Sequence, residues 1–554
     1  MNRREAILMS AGAAAAASLA SAATKDQILQ SALDKSNAAV ESLLKDQITD
    51  PANPWRGMIK NSYGIPVPAT MAGMADTFTS ALLHKQSKFY KSAEVFNRLK
   101  LSQECLMKHL SPGGFIDNLD TNFNSPADTA FAVRAAARGL LLAKQAGDRE
   151  IYQVVEPFVK KASDGLTVGG IHTPNHRWVL CAALAQANEI IPNPAYVRRI
   201  DQWLAEGIDI DEDGQYTERS VGGYNPITDS AFIAVAEKLK RPELFDPVRK
   251  NLESLLYLIN PSDELVTDFS RRQDQYTRVT TERYFNELHY MAWHDKNEVY
   301  AGLAAPYQTT SLSLTQSMLY PWTLEPLKGK PAPDNYRKEF KHNKFTRIRR
   351  GNHAATVFYN GSSRVASFQK GEAVIQAVRF ISAFFGKAQF KADTFSLDGD
   401  VIRMSQRLDG PYYQPFTPTR VIDSEMWDST QKLRPRTEVA LYEQGAEFRE
   451  AQGGYDLRIY AKGTNHVPVT VEIAFREGGT LEGVVPVEGH ADAFLLKSGT
   501  ARYRFKKDVI TVTPGLAEHQ WTRNMRYIEP KLPGPTLFLT GFAPFDHTIR
   551  FRFA

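Results

Sequence analysis

Three times in its first half, this 554-residue chain follows a polar residue with proline at the head of an apolar run: Ser125-Pro126, Thr173-Pro174 and Asn225-Pro226. A side-chain acceptor at the N-cap and proline in the first turn is a strong helix start, because proline lacks the N–H that would be unsatisfied there. Recurrence at about fifty residues implies one helix pair per repeat, with alternate helices beginning at one end of a stack. That shared end is where side chains from different repeats converge, and it is the first place to look for chemistry.

The runs behind these starts predict helices over 75–92, 96–110, 126–146, 149–163, 174–188, 195–206, 226–240 and 245–258. Some are apolar on nearly every side, such as 129–142; others carry one solvated face, such as 149–163. That alternation is expected of an inner ring of helices wrapped by an outer ring, an α/α toroid. Past the Pro- and Lys-rich stretch 324–333 the pattern changes to short β-type runs at 355–359, 364–368, 373–378, 467–473, 509–513 and 536–540. No helical stretches alternate with them, which predicts an antiparallel β-sandwich rather than βαβ units. Pro468 suits an edge or strand-opening position. The expected organisation is an export signal over 1–23, a toroid over 24–325 and a sandwich over 326–554 that begins with the linker.

The signal reading rests on Arg3-Arg4, the alanine-rich stretch after Ile7-Leu8-Met9 and the small residues at 20–23. A basic segment, an apolar segment and a small-residue cleavage site form an export signal, and the paired arginines fit the twin-arginine route. A periplasmic or secreted protein is expected. No later stretch is apolar for the ~18 residues a membrane span needs. The net charge of +5 is mild, and no Lys/Arg block resembles a nucleic-acid arm; it is compatible with an anionic partner. Cys105 and Cys181 both sit in apolar helical runs and read as buried thiols.

The chemistry-bearing residues cluster before the second and third starts. His176 falls in the first turn of one inner helix and Tyr224 just before the expected N-cap of the next. The positive end of a helix favours negative charge and disfavours an imidazolium. Asn175 and Arg177 flank His176, and an amide with a guanidinium suits a carboxylate; a structural ion pair is the other reading of Arg177. Tyr216, Glu218 and Arg219 lie in the loop ahead of Tyr224, and the aspartates 209, 211 and 213 read as turn chemistry. Arg271, Arg272 and His289 mark a later polar cluster, and Arg350 with His353 opens the first sandwich strands.

Two segments carry a resemblance. Asn175-His176 at a helix start, and Asp213-Gly214 through Glu218-Arg219-Ser220 to Tyr224, resemble segments of polysaccharide lyases of the heparinase II/III, alginate lyase and chondroitin AC lyase type. Asn225 stands where histidine is common in those families, and Gly222-Gly223 is extra. The resemblance implies a toroid plus sandwich and β-elimination on a uronate-containing polysaccharide or oligosaccharide. In it, Tyr224 and His176 are catalytic, and Asn175, His176 and Arg177 hold the uronate carboxylate. The residues themselves add Glu218, Tyr216, Arg271, Arg272, His289, Arg350 and His353 as candidate substrate contacts, with a solvated pair the other reading of Glu218 and a surface basic turn that of Arg350 and His353. The resemblance implies no cofactor, and leaves a structural divalent metal in the sandwich open. An enzyme of the L-rhamnose-α-1,4-D-glucuronate lyase kind is one form of this expectation. The residues also leave open a glycoside hydrolase using Asp128, Glu218 or Asp229, and a carbohydrate-binding protein without activity.

Overall fold

Proline and small capping residues set the helix starts of the first unit. The computed structural model describes residues 23–387, 389–520 and 528–554; the expected export signal lies almost wholly outside them. One unit runs to Pro333, without Asn260–Ser262, and the second joins those three residues to Asp334–Ala554.

The first unit is a helical toroid. Its first helix, α1 (Lys25–Asp46), opens on a reciprocal cap in which Thr24 and Gln27 exchange side chain and backbone bonds. Four antiparallel pairs follow: α2 (Pro68–Leu83) with α3 (Ala93–Lys108), α4 (Pro126–Ala146) with α5 (Arg149–Leu166), α6 (Pro174–Ile190) with α7 (Pro194–Leu204), and α8 (Tyr224–Leu239) with α9 (Asp246–Leu255). The first member of each pair packs on the first member of the next, so α2, α4, α6 and α8 form the inner layer. Their residues are small and buried all round, as in Val179–Ala185 of α6. A later helix, α10 (Phe285–Asp295), packs on α8.

Two starts fall at their proline and the third does not. Ser125 Oγ accepts the Asp128 N–H at the head of α4, and α6 begins at Pro174. Helix α8 begins two residues before Pro226, at Tyr224, with Gly223 as its N-cap. Helix α2 begins and ends earlier than expected, because Pro68 opens it and His84 is already extended. A small hairpin, Ile116–Asn118 with Asn122–Ser125, leads into α4 and carries no strong strand signal in sequence.

The second unit is a sandwich of two sheets. The nine-stranded sheet runs, edge to edge, through Val485–Pro486, Ala493–Leu495, Thr536–Phe542, Pro468–Phe475, Ala373–Ser382, Ala366–Lys370, His353–Phe358, Phe345–Arg350 and Asn335–Phe340. The eight-stranded sheet runs through Thr480–Glu482, Ala501–Phe505, Asp508–Thr513, Phe545–Phe553, Gly454–Gly463, Arg436–Ala451, Val401–Tyr413 and Thr394–Asp398. Inward residues such as Phe368, Ile375 and Phe380 from one sheet, and Phe448, Leu457 and Phe551 from the other, form a single core. Pairing is antiparallel with one short exception among named strands: Ala493–Leu495 lies parallel to Thr536–Phe542. Pro468 opens its strand as expected, but that strand is interior, where the first residue can spare its missing N–H.

Candidate active site

The loop into α8 is held from several sides before it delivers Tyr224. Asp211 Oδ1 accepts the N–H groups of Asp213 and Gln215, at 3.0 and 2.9 Å, and closes the turn. Gly214 is required there: its φ is +80°, and a Cβ would stand 2.5 Å from the Lys250 carbonyl oxygen of α9. Asn251 donates to the Gly214 carbonyl at 2.7 Å, and Gln215 bridges Ser254 and Asn225 at 2.7 and 2.9 Å. Arg219 adopts a left-handed φ of 46°, a conformation that costs free energy in a non-glycine residue and recurs at functional loops.

Asp274 then ties a second loop to this one. Its carboxylate is buried and accepts the Ser220 hydroxyl at 2.7 Å, the Gly222 N–H at 2.9 Å and the Ser270 hydroxyl at 2.8 Å. Ser220 Oγ in turn accepts the Tyr224 N–H at 3.0 Å, supplying the acceptor that Gly223 lacks as N-cap. Tyr284 donates to the Val221 carbonyl at 2.7 Å from beneath. Gly223 leaves the room this needs, since a Cβ there would meet Ser220 Oγ at 2.6 Å.

A continuous polar path joins the head of α6 to the head of α8. The Asn175 N–H and side-chain amide both donate to Glu218 Oε2. Arg272 Nε lies 3.5 Å from Glu218 Oε1, and its guanidinium sits 5.4 Å from the centre of the Tyr224 ring. The Tyr224 hydroxyl donates to Gln273 Oε1 at 3.1 Å. Asn175 and Glu218 are buried, whereas Arg272 is partly exposed and Gln273 exposed. The surface of the cluster is therefore Tyr224, Arg272 and Gln273, with Asn175 and Glu218 behind it. His176, one residue along α6, meets His172 edge-on at 4.9 Å and Phe131 of α4 at 6.3 Å. This ring contact links the heads of α4 and α6.

Other expected binding residues are engaged elsewhere. Arg177 is buried, donates to Asp209 and Glu206 at 2.9 and 3.2 Å, and stacks 4.1 Å from the Trp178 ring. Of its two readings, these contacts are those of the structural ion pair. Tyr216 is buried with its hydroxyl on Asp229 Oδ1 at 2.7 Å, and burial, then the Asp229 charge, pushes the phenol well above its ordinary range. His289 is buried against Phe285 and Trp322, and burial holds it down at about 4, so it stays neutral in the core. Arg271 is exposed beside the cluster and donates its N–H to the Arg219 carbonyl at 2.9 Å. Within the sandwich, Arg350 pairs with both Glu450 oxygens at 2.6 and 2.8 Å, and His353 stacks on Phe553 at 5.0 Å.

Sequence reasoning gave Gln273 and Asp274 no role, although both stand beside the paired arginines. Their part depends on contacts 49 and 54 residues away, which no local pattern shows. Among the described residues no group of three or more His, Cys, Asp or Glu could hold a metal ion. No described helix is long and apolar enough to cross a membrane.

No family model matches the sequence, and no curated protein matches it. Solved structures do share its architecture. A xanthan lyase of Paenibacillus superposes with a TM-score of 0.58 at 8% identity, over 88% of this chain and 51% of that one. This chain thus spans about half of the xanthan lyase's length. A chondroitin AC lyase of Streptomyces coelicolor A3, solved with chondroitin sulphate, gives 0.55 at 12% identity, over 94% and 78%. A chondroitinase AC lyase solved with oligosaccharides gives 0.51 at 9% identity, over 96% and 82%. The chain therefore has the helical-toroid and β-sandwich fold of these polysaccharide lyases.

Proposed function

We propose that the chain is a polysaccharide lyase that cleaves a uronate-containing glycan by β-elimination. The observation that carries this reading is the Tyr224 hydroxyl at the surface of a fixed polar cluster, with Arg272 against its ring and Gln273 at its oxygen. Neutralising the uronate carboxylate makes the neighbouring C5 proton acidic, because the intermediate places charge on that carboxylate. Arg272 is the cation best placed for this, in the role the sequence suggested for Arg177. Tyr224 removes the C5 proton, the C5–H electrons form the C4–C5 double bond, and the C4–O4 bond breaks. A proton from Tyr224 or His176 completes the departing hydroxyl. Asn175 acts through Glu218, which it holds beside Arg272.

The carboxylates argue against hydrolysis. Asp128 is spent on Asn118, Asn122 and Ser125. Asp229 is fully buried under Tyr216, and burial raises it well above the carboxylate range. Glu218 is buried against Asn175. These contacts supply no exposed acid and base pair of the kind glycosidases use. The N-terminal arginine pair and alanine-rich stretch support action outside the cytoplasm, in the periplasm or medium. An L-rhamnose-α-1,4-D-glucuronate linkage belongs in the substrate panel for the same reason as other uronates: its carboxylate acidifies C5.

The test is a panel of uronate glycans incubated with the purified chain. New ultraviolet absorbance from a conjugated unsaturated uronate supports the lyase. Reducing ends without that absorbance would show a hydrolase, and binding without either a carbohydrate-binding protein.

A further inference from the structure

The sandwich carries a segment its sheets do not need. Residues 414–435 leave one long strand, Val401–Tyr413, and return to the next, Arg436–Ala451, through short helical turns at Ser424–Met426 and Trp427–Thr430. Large apolar side chains on and beside it face solvent: Trp427 is 45% exposed, Tyr412 60% and Leu433 64%. Phe416 is the buried anchor, at 7%.

Two arginines converge on that anchor. The Arg420 guanidinium lies 4.1 Å from the centre of the Phe416 ring and that of Arg434 lies 4.5 Å from it; Arg434 is also 4.7 Å from the Trp427 ring. Neither has a carboxylate partner among the described residues. Among the described residues the Arg434 guanidinium gives one hydrogen bond, to the Gln414 carbonyl at 3.3 Å. The neighbouring cations are satisfied: Arg436 and Lys387 both pair with Asp409. The nearby Asp423 is occupied in capping the N–H groups of Glu425 and Met426. Holding two like charges on one ring is unfavourable, and the ring's negative faces offset only part of that repulsion. An anion on the outer N–H edge of either guanidinium would offset that repulsion, with the fork geometry that suits a carboxylate or sulfate.

We propose that this segment is a second glycan-binding site: Arg420 and Arg434 take the acidic group of a polysaccharide, and the exposed face of Trp427 stacks on an adjoining sugar ring. This deepens the proposed function, resting on its reading of the substrate as an acidic glycan. It adds a site on the sandwich that engages long chains independently of cleavage.

The experiment is native electrophoresis of the full chain through gels cast with hyaluronan, alginate or polygalacturonate, and with dextran as the neutral control. The chain carries Tyr224→Phe so that the acidic glycans survive, and Arg272→Ala so that the Tyr224 cluster holds them only weakly. Retardation is expected in at least one acidic gel and not in dextran. Arg420→Ala with Arg434→Ala should weaken the retardation about tenfold or more, Trp427→Ala should weaken it comparably, and Arg434→Lys should restore it only in part because the fork is lost. Unchanged melting temperatures confirm that the variants fold. Equal retardation in dextran, no retardation in any acidic gel, or variants that run like their parent would overturn the proposal. So would a concentration-dependent dimer abolished by Trp427→Ala without retardation, since a second copy would then be the occupant. If the unmodified chain shows no elimination on any uronate glycan yet the arginine-dependent retardation holds, the lyase reading falls and this site stands; elimination without retardation gives the reverse.

Discussion

Asp274 should control catalysis without touching substrate. It accepts three hydrogen bonds from two loops, and one of its donors, Ser220, accepts the N–H of Tyr224. In Asp274→Asn the remaining oxygen is best kept where it meets both Gly222 and Ser270. The new amide then faces Ser220 Oγ and competes with the Tyr224 N–H. Exchanging a charge-assisted bond for a neutral one at this point costs about 1–2 kcal/mol. If that cost falls on the position of the Tyr224 hydroxyl, kcat drops roughly 5- to 30-fold, with KM changed less than about threefold. The assay is formation of unsaturated product against substrate concentration, with thermal melting to follow folding. Ser220→Ala acts through the same contact, so the double variant should be little worse than the poorer single one. Full kcat in Asp274→Asn, or effects of the two substitutions that simply add, would show that Asp274 does not act on Tyr224 through Ser220.

Arg177 and Arg272 should separate stability from function. Arg177→Ala leaves the half-buried Asp209 with Trp178 Nε1 as its remaining side-chain donor and should cost about 1.5–3 kcal/mol of stability, read in denaturant, while the folded fraction keeps its KM. Arg272→Ala should melt within about 1 kcal/mol of its parent yet raise KM and lower kcat, in the same kinetic assay. Glu218→Gln keeps an acceptor for Asn175 and should retain more activity than Tyr224→Phe; a hydrolase using Glu218 would lose nearly everything. Two groups on α10 should tilt the pH dependence of stability in opposite directions. His289 is held at about 4, so between that pH and its unfolded value near ~6.5 the unfolded chain binds the extra proton, and its contribution rises with pH by about 3 kcal/mol. Glu287 is raised to about 7 by burial, so there the folded chain binds the extra proton, and its contribution falls by a similar amount between about 4.5 and 7. Relative to the parent, His289→Leu should make stability fall more steeply as pH rises through this window, and Glu287→Gln should make it rise, both measured by denaturant unfolding.

What sequence could show is what neighbours along the chain decide. Ser125-Pro126 and Thr173-Pro174 are local devices, and their helices begin there. Tyr224 was misplaced by two residues because its N–H is capped by Ser220, held by Asp274 from a loop 54 residues on. The paired arginines at 271 and 272 were visible as a cluster, but only the fold shows Arg272 against the Tyr224 ring. Arg177 and Tyr216 looked functional for the same local reasons as His176 and Tyr224. What separates them is burial and the partners Asp209 and Asp229, which sequence pattern does not report. The short parallel pair at Ala493–Leu495 escaped notice because three residues carry too little pattern to give a direction.

Whether the Tyr224 phenol removes the C5 proton is decided by Tyr224→Phe. The change keeps the ring under Arg272 and removes only the oxygen that meets Gln273. On a uronate glycan that the parent chain converts to an unsaturated product, the folded variant should bind the glycan with nearly parental affinity. Its kcat for the ultraviolet-absorbing product should be lower on the order of 10²-fold or more. Near-parental kcat for that product in a folded Tyr224→Phe chain would contradict the account.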